Sequence, residues 1–128
     1  MIHSSPSDPS PMKSLEAMFM ADVAYVAGHP NIPRILLGTL VTKEKSALKL
    51  MLEAFVRRYE RRISCLIEEA QQCGEVRATV DKEGAARLFI AAIQHLVFRA
   101  LVADELSKIR EAAPAAFTSY RRCLEAIQ

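Results

Sequence analysis

The sequence predicts an all-α protein, a five-helix bundle within a single domain. Only four Gly occur in 128 residues, and of the six Pro only Pro114 lies after residue 33. Ala, Leu, Glu, Arg and Ile dominate the rest of the chain, a composition that favours helices. Apolar residues recur with the helical period along several segments, as in helices that bury one face. A chain of 128 residues is also the usual size of one domain.

The first residues differ in composition from the rest. Residues 1–11 are rich in Ser and Pro and are predicted to form a disordered lead, so the helical domain spans 12–128. Its first helix is predicted over 12–27, with Gly28 as its stop. Asp22 falls within the apolar arc of this helix, which is unusual because an unpaired buried carboxylate is costly.

Two further helices follow. A short one is predicted over 32–40, with Asn31 as N-cap and Pro33 near the first helical position. A long one is predicted over 45–73, ending at Gly74, and at about 1.5 Å per residue it spans more than ~40 Å. Its apolar stripe lies opposite an arginine-rich side.

The last two helices are predicted over 82–105 and 112–127, with Asp81 capping the former and Pro114 in the first turn of the latter. One half of the fourth helix is apolar and the other half is mixed, which is typical of a helix with contacts on both sides. The fifth helix has one strong apolar face, and much of its remaining surface is made of small residues. We therefore expect these two helices to pair with another chain.

Charge gives little support for nucleic-acid binding. The net charge is only +2, although residues 43–62 hold seven Lys or Arg against three acids. The four arginines Arg57, Arg58, Arg61 and Arg62 are interpreted as a solvated helix face, with phosphate contact as the alternative. Glu60 interrupts the cluster, and no aromatic residues interleave with it, which favours the first interpretation.

Several other classes of protein are not supported. Three cysteines without a CxxC pair, and a start without an apolar signal segment, predict a reducing, cytoplasmic environment. The apolar run over 88–103 contains Gln94, His95 and Arg99, so no membrane span is predicted. No metal-ligand spacing, nucleophile motif or phosphate loop occurs, so we expect no enzyme activity, no metal and no cofactor.

Three stretches resemble the ligand-binding and dimerising C-terminal half of TetR-family transcriptional regulators. They are Gly74-Glu75-Val76-Arg77 with Asp81 and Ala85-Ala86-Arg87-Leu88-Phe89, His29-Pro30-Asn31-Ile32-Pro33-Arg34-Ile35-Leu36, and Tyr120-Arg121-Arg122-Cys123-Leu124-Glu125-Ala126-Ile127. The resemblance implies a homodimer whose last two helices form a four-helix interface. It also implies a pocket for a small apolar or amphipathic inducer. DNA would be read only by a separate N-terminal helix-turn-helix, which we expect this chain to lack.

The resemblance also implies candidate residues. Those for ligand binding are Met18, Phe19, Asp22, Phe55, Tyr59, Phe89, Ile93, His95 and Phe98. Those for the dimer interface are Phe98, Arg99, Val102, Ala113, Ala116, Phe117, Tyr120, Leu124 and Ile127.

Three alternatives stay open at this point. Asp22 is either a polar anchor in a pocket or a rim residue paired with an arginine. His95 and Arg99 contact either the ligand or the second subunit, or they are ordinary structural groups. The aromatic stripes are either core or pocket wall.

The predicted function is a regulatory domain that controls a DNA-binding module, and the alternative is a helical dimerisation module without a ligand.

Overall fold

A computed structural model describes residues 10–41 and 46–125 of the chain. It contains five α-helices: α1 (Pro11–Gly28), α2 (Asn31–Val41), α3 (Ala47–Gln72), α4 (Lys82–Ala103) and α5 (Ile109–Leu124). A 3-10 turn, Leu106–Lys108, joins α4 to α5. No strand occurs among the described residues, so the predicted all-α fold with five helices is confirmed.

Local chemistry explains where the first helices begin. The Ser10 hydroxyl accepts the Lys13 N–H at 3.2 Å, and the Ser46 hydroxyl accepts the Lys49 N–H at 3.1 Å. Each serine thereby caps an otherwise unpaired backbone donor. Pro11 is the first residue of α1, so Ser10 and Pro11 belong to the helix and its cap rather than to the predicted lead. The remainder of that lead, residues 1–9, lies outside the described residues.

The turn from α3 to α4 is fixed by Gly74 and Gln71. Gly74 has φ of 81°, in the left-handed region that ends helices and favours glycine, as predicted for a stop. The Gln71 side-chain amide then donates to the carbonyls of Arg77 and Val80, at 3.1 and 2.9 Å. These bonds link α3 to the loop. Asp81 occupies the N-cap position of α4 as predicted, but its side chain makes no capping hydrogen bond.

Two predicted starts were wrong, that of α2 by one residue and that of α5 by three. Asn31 is the first residue of α2 rather than its cap. The last helix begins at Ile109, because the 3-10 turn leads directly into it, and Pro114 therefore lies inside the helix. There a proline costs one helical hydrogen bond. The helix ends at Leu124, and residues 126–128 lie outside the described residues.

Helices α1, α3, α4 and α5 form an up-and-down bundle whose two ends differ. We call the end that holds the α3–α4 turn the closed end. There the Met12 N–H donates to the Glu75 carboxylate at 3.2 Å, and the Arg77 N–H donates to the Leu124 carbonyl at 2.9 Å. The opposite end, which we call the open end, brings together the end of α1, helix α2, the start of α3 and the end of α4. An ion pair of 3.6 Å between Arg34 and Asp104 joins α2 to α4 there.

An aromatic cluster forms the centre of the core. Phe19 lies 5.4 Å from both Phe89 and Phe117, measured between ring centroids, and Tyr120 lies 5.8 Å from Phe89 and 5.9 Å from Phe117. The Tyr120 hydroxyl donates to the Ala85 carbonyl at 2.6 Å, so this buried polar group is satisfied. The cluster links α1, α4 and α5 into one unit.

The strong apolar face of α5 packs into this core, which corrects part of the predicted interface. Four residues predicted to contact a second chain are instead buried within this one: Ala113, Phe117, Tyr120 and Leu124. Helix α1 covers them. This face is the most apolar surface of α5, so it packs into the core of its own bundle. Ile127, also predicted for the interface, lies outside the described residues.

Burial changes along α3. Ile63, Ile67 and Ala70 are fully buried near the closed end, whereas no residue from 47 to 62 is buried. Leu48 and Phe55 are about half exposed on this first part of the helix. The interior-facing Ile93, Leu96 and Val97 of α4 are likewise only half-buried. On its α3 side the open end therefore presents apolar side chains that are not fully packed, whereas Ala100, Leu106 and Ile109 are buried where α4 meets α5 at the same end.

Helix α4 has the length and composition of a membrane span, and it is the only such helix in the described part of the chain. Yet Ala85, Ala86 and Phe89 lie in the bundle core, against residues of α1 and α5. Core helices of soluble proteins pass the same test, so this feature is weak support for a membrane.

Candidate functional site

A polar pair joins α1 to α3 near the middle of the bundle, between its closed and open ends. The Tyr59 hydroxyl donates a hydrogen bond to the Asp22 carboxylate, and both side chains are half-buried. Asp22 lies one turn beyond Met18 on the face of α1 that looks toward α3. Tyr59 lies one turn before the buried Ile63 on α3. The partner of Asp22 is thus a tyrosine, rather than the arginine considered as an alternative.

The environment of the pair changes the acidity of both groups. Burial raises the pKa of Asp22 above its ordinary value, and the hydrogen bond from Tyr59 opposes that change in part. Burial raises the pKa of the Tyr59 hydroxyl, and the hydrogen bond to Asp22 and its charge raise it further. Tyr59 therefore remains a protonated donor at physiological pH, and burial makes the ionised form of Asp22 less favourable than that of a fully solvated carboxyl.

Aromatic rings lie on two sides of Tyr59. The Phe55 ring is nearly parallel to it, with centroids 6.2 Å apart and an angle of 5° between planes. The Phe89 ring meets it edge-on at 6.4 Å. Phe89 is fully buried, but Phe55 is 56% exposed. The polar pair therefore lies between the core and an exposed aromatic surface.

The other predicted ligand residues divide into three groups. Met18 and Ile93 are half-buried and pack against the core. Phe19 and Phe89 are fully buried, so they are core residues with no surface for a ligand. His95 and Phe98 are exposed on the side of α4 that faces away from the core, so the structure does not bring them to Asp22 and Tyr59.

An exposed apolar stripe runs along this outward side of α4. Its members are separated by three or four residues: Leu88, Ala91, His95, Phe98 and Val102. Next to it, α5 exposes small residues at Ala112, Ala115 and Ser119. A shallow groove of about 280 Å³, lined in part by Arg99, Ala103, Lys108 and Ala112, connects the two helices. We call this combined surface the outer α4–α5 face.

The outer α4–α5 face contains part of the predicted interface. Phe98, Arg99 and Val102 are exposed on it, and Ala116 is half-buried. Leu88 and Ala91 are exposed on the same face but are not among the residues predicted for the interface. The signal that could have identified them is the mixed half of α4, which carries more apolar side chains than a solvated face needs.

The arginine-rich side of α3 is exposed, as interpreted from the sequence. Arg57 and Arg61 border a groove of about 260 Å³ together with Arg87, but Glu60 and Glu83 line the same groove. The acids offset much of the positive charge. This groove therefore offers a phosphate group little net attraction.

The raised pKa of Asp22 predicts a pH-dependent effect of Asp22→Asn. Because the folded-state pKa lies above the ordinary value of 3.8, the carboxyl contributes stability that is fully present below about pH 4. That contribution is lost as pH rises through the folded-state pKa. Asparagine stays neutral and still accepts the hydrogen bond from the Tyr59 hydroxyl, so the variant gains melting temperature relative to wild type as pH rises from about 4 through the folded-state pKa of Asp22.

The measurement is thermal unfolding of both proteins across that range. The gain is modest, because a half-exposed carboxylate remains partly solvated. Glu53→Gln, at an exposed position of α3, is the matched control and leaves the difference between pH values unchanged. A variant that loses stability at neutral pH would show that ionised Asp22 stabilises the fold.

Comparison with known proteins identifies the family of this bundle. A family model described as "Tetracyclin repressor-like, C-terminal domain" matches residues 40–117, which is more than half of the chain. Neither the curated proteins nor the solved structures contained a match. The matched region covers α3, α4 and most of α5, the helices that carry Tyr59 and the outer α4–α5 face. The chain belongs to the family of tetracycline-repressor-like C-terminal domains.

Proposed function

We propose that this chain is the regulatory domain of a TetR-like transcriptional regulator, which binds a small apolar or amphipathic ligand and forms a homodimer. The observation that carries the ligand site is the half-buried Asp22–Tyr59 pair beneath exposed apolar residues. Membership of the family supports a regulatory role in general. We expect the protein to act in the cytoplasm, without a cofactor or catalytic activity of its own.

The proposed ligand site lies at the open end, between the last turns of α1 and the first part of α3. Small-molecule sites combine an apolar surface with a few polar groups that fix orientation. Phe55, Leu52 and Val26 supply incompletely buried apolar surface, and Asp22 and Tyr59 supply the polar groups. A ligand that covers these side chains removes apolar surface from water, which stabilises the bound state.

The proposed dimer uses the outer α4–α5 face. Leu88, Phe98 and Val102 are 60%, 61% and 74% exposed, which is far more apolar surface than a solvated helix face usually presents. The small residues of α5 allow a second helix to approach closely. Two copies of this helix pair bury the stripe in a four-helix arrangement with twofold symmetry. His95 and Arg99 then lie at the interface rather than at the ligand.

Regulation follows if the two sites are coupled. A ligand between α1 and α3 favours the arrangement of these helices that accommodates it, and so shifts the population between two conformations. In the proposed regulator this shift is read by a DNA-binding module attached to the domain. The coupling is limited by the difference in affinity of the ligand for the two conformations.

A thermal-shift screen tests the ligand site. We expect some compounds from a panel of small apolar and amphipathic molecules to raise the melting temperature, since a ligand at about 100 times its Kd adds about 2.7 kcal/mol. Tyr59→Ala removes the shift, measured against the variant's own melting temperature. Arg58→Ala, its exposed neighbour on α3, retains it. A shift that survives in Tyr59→Ala would place the ligand elsewhere.

The second candidate is a dimerisation module without a ligand. It is favoured by the full burial of Phe19 and Phe89, which leaves the closed end solidly packed. A protein that dimerises but shows no shift across the whole panel would support this candidate and exclude the regulatory domain proposed above.

A further inference from the structure

The charge on Asp22 has no cationic partner in the described part of the chain. Its hydrogen bond comes from Tyr59, which is neutral, and it takes part in none of the ion pairs there. A carboxylate that is half withdrawn from water, with no counterion, interacts more strongly with any cation that reaches it. The uncompensated charge is therefore available to a ligand.

The described basic side chains on the surrounding helices do not form ion pairs with Asp22. On α3, Arg58 and Arg62 are exposed, and Arg62 affects the pKa of Tyr59 by lowering it. On α4, the basic side chains are exposed on its outer sides: Arg87, His95 and Arg99. Arg34 of α2 is paired with Asp104, and Lys13 of α1 lies in a groove toward the closed end. Arg110 of α5 donates to the Ala24 carbonyl of α1 at 3.4 Å, and none of these basic groups forms an ion pair with Asp22.

The rings beside the pair favour the same kind of ligand. The exposed Phe55 ring lies parallel to the ring of Tyr59, the residue whose hydroxyl binds the Asp22 carboxylate. Aromatic faces attract organic cations held within about 6 Å of the ring centroid. They also provide apolar surface for the hydrocarbon part of the same molecule. An anionic ligand would gain from the rings but would be repelled by Asp22.

On the basis of the ligand site proposed above, we propose that its ligand is an organic cation, with an amine or quaternary ammonium group joined to an apolar body. The cationic group lies beside the Asp22 carboxylate, and the apolar body lies against Phe55 and the half-buried residues of the open end. Tyr59 holds the carboxylate in position through its hydrogen bond.

The test uses three probes that share one hydrocarbon skeleton and differ in charge: 4-phenylbutylamine, 4-phenylbutanol and 4-phenylbutyrate. Binding to the full chain is measured by titration calorimetry at neutral pH. We expect the amine to bind about tenfold more tightly than the alcohol, as for a charge-assisted contact, and the carboxylate to bind most weakly. In Asp22→Asn the amine binds no better than the alcohol, and binding of the alcohol is unchanged. Glu53→Gln retains the wild-type order.

Two results would overturn the assignment. Equal affinity for the three probes, or tightest binding of 4-phenylbutyrate, would exclude a cationic ligand while leaving the proposed ligand site intact, provided that Tyr59→Ala abolishes the binding. If none of the probes binds, a cationic ligand is excluded as well. The proposed ligand site would then be tested only by the thermal-shift screen of apolar and amphipathic compounds. Asp22→Asn keeps the shape of the side chain, so a change in affinity reports on charge.

Discussion

Replacement of Phe19 by alanine is expected to lower the free energy of unfolding by about 3–5 kcal/mol. Phe19 is fully buried, and its ring contacts those of Phe89 and Phe117, each with centroids 5.4 Å away. The truncation removes apolar burial and leaves a cavity where three helices meet. Since small domains are stable by only about 5–15 kcal/mol, the loss is a large fraction of the total.

Urea denaturation followed by circular dichroism measures this loss. Phe55→Ala is the matched control, because Phe55 is 56% exposed and its removal leaves no enclosed cavity. We expect the control to change stability by less than about 1 kcal/mol. Equal losses in the two variants would contradict the placement of Phe19 in the core and of Phe55 at the surface.

A glutamate at Phe98 is expected to convert the proposed dimer to monomers. Phe98 lies in the middle of the exposed stripe of α4, so in a symmetric pair two carboxylates would enter an apolar interface. Burial of unpaired charge costs several kcal/mol for each group, enough to reduce association by roughly a thousandfold or more. The helices of each subunit are unaffected, because residue 98 faces away from the core of its own chain.

Sedimentation equilibrium distinguishes the two states. We expect wild type at twice the chain mass of 14.2 kDa, and Phe98→Glu at the chain mass itself. Leu50→Glu is the matched control: Leu50 is also an exposed apolar residue, at 58% exposure, but on α3. Its dimer persists. A monomeric wild-type protein, or a Phe98→Glu variant that remains dimeric, would argue against the outer α4–α5 face as the interface.

Helix positions were predictable because the signals for them are local. Gly74 ends α3 through its own backbone conformation, and Asp81 precedes α4 at the cap position. The start of α5 was not predictable in the same way, because the 3-10 turn before it depends on Leu106 being buried in the core. Proline is common at the first position of a helix, but Pro114 lies inside α5, so it does not mark the start of this helix.

The site was only partly predictable, for a different reason. Asp22 was identified because a carboxylate within an apolar arc requires a partner, but periodicity cannot say which helix supplies it. From the sequence, the face that α5 buries in its own core is likewise predicted to be an interface. Hydrophobic periodicity identifies the most apolar face of a helix, and the monomer core occupies that face first. The surface left for a partner is the weaker second face, represented here by Leu88 and Phe98 on α4.

The uneven burial of α3 has a consequence for how the domain opens. Its last turns are fixed by Ile63, Ile67 and Ala70, whereas its first part has no buried side chain. Local unfolding free energies follow the number of buried contacts, so the amide groups of this first part exchange with solvent at much lower cost than those near Ala70. One continuous helix therefore spans two regions of different local stability. A molecule that binds against Tyr59 would contact α3 at the boundary between these two regions.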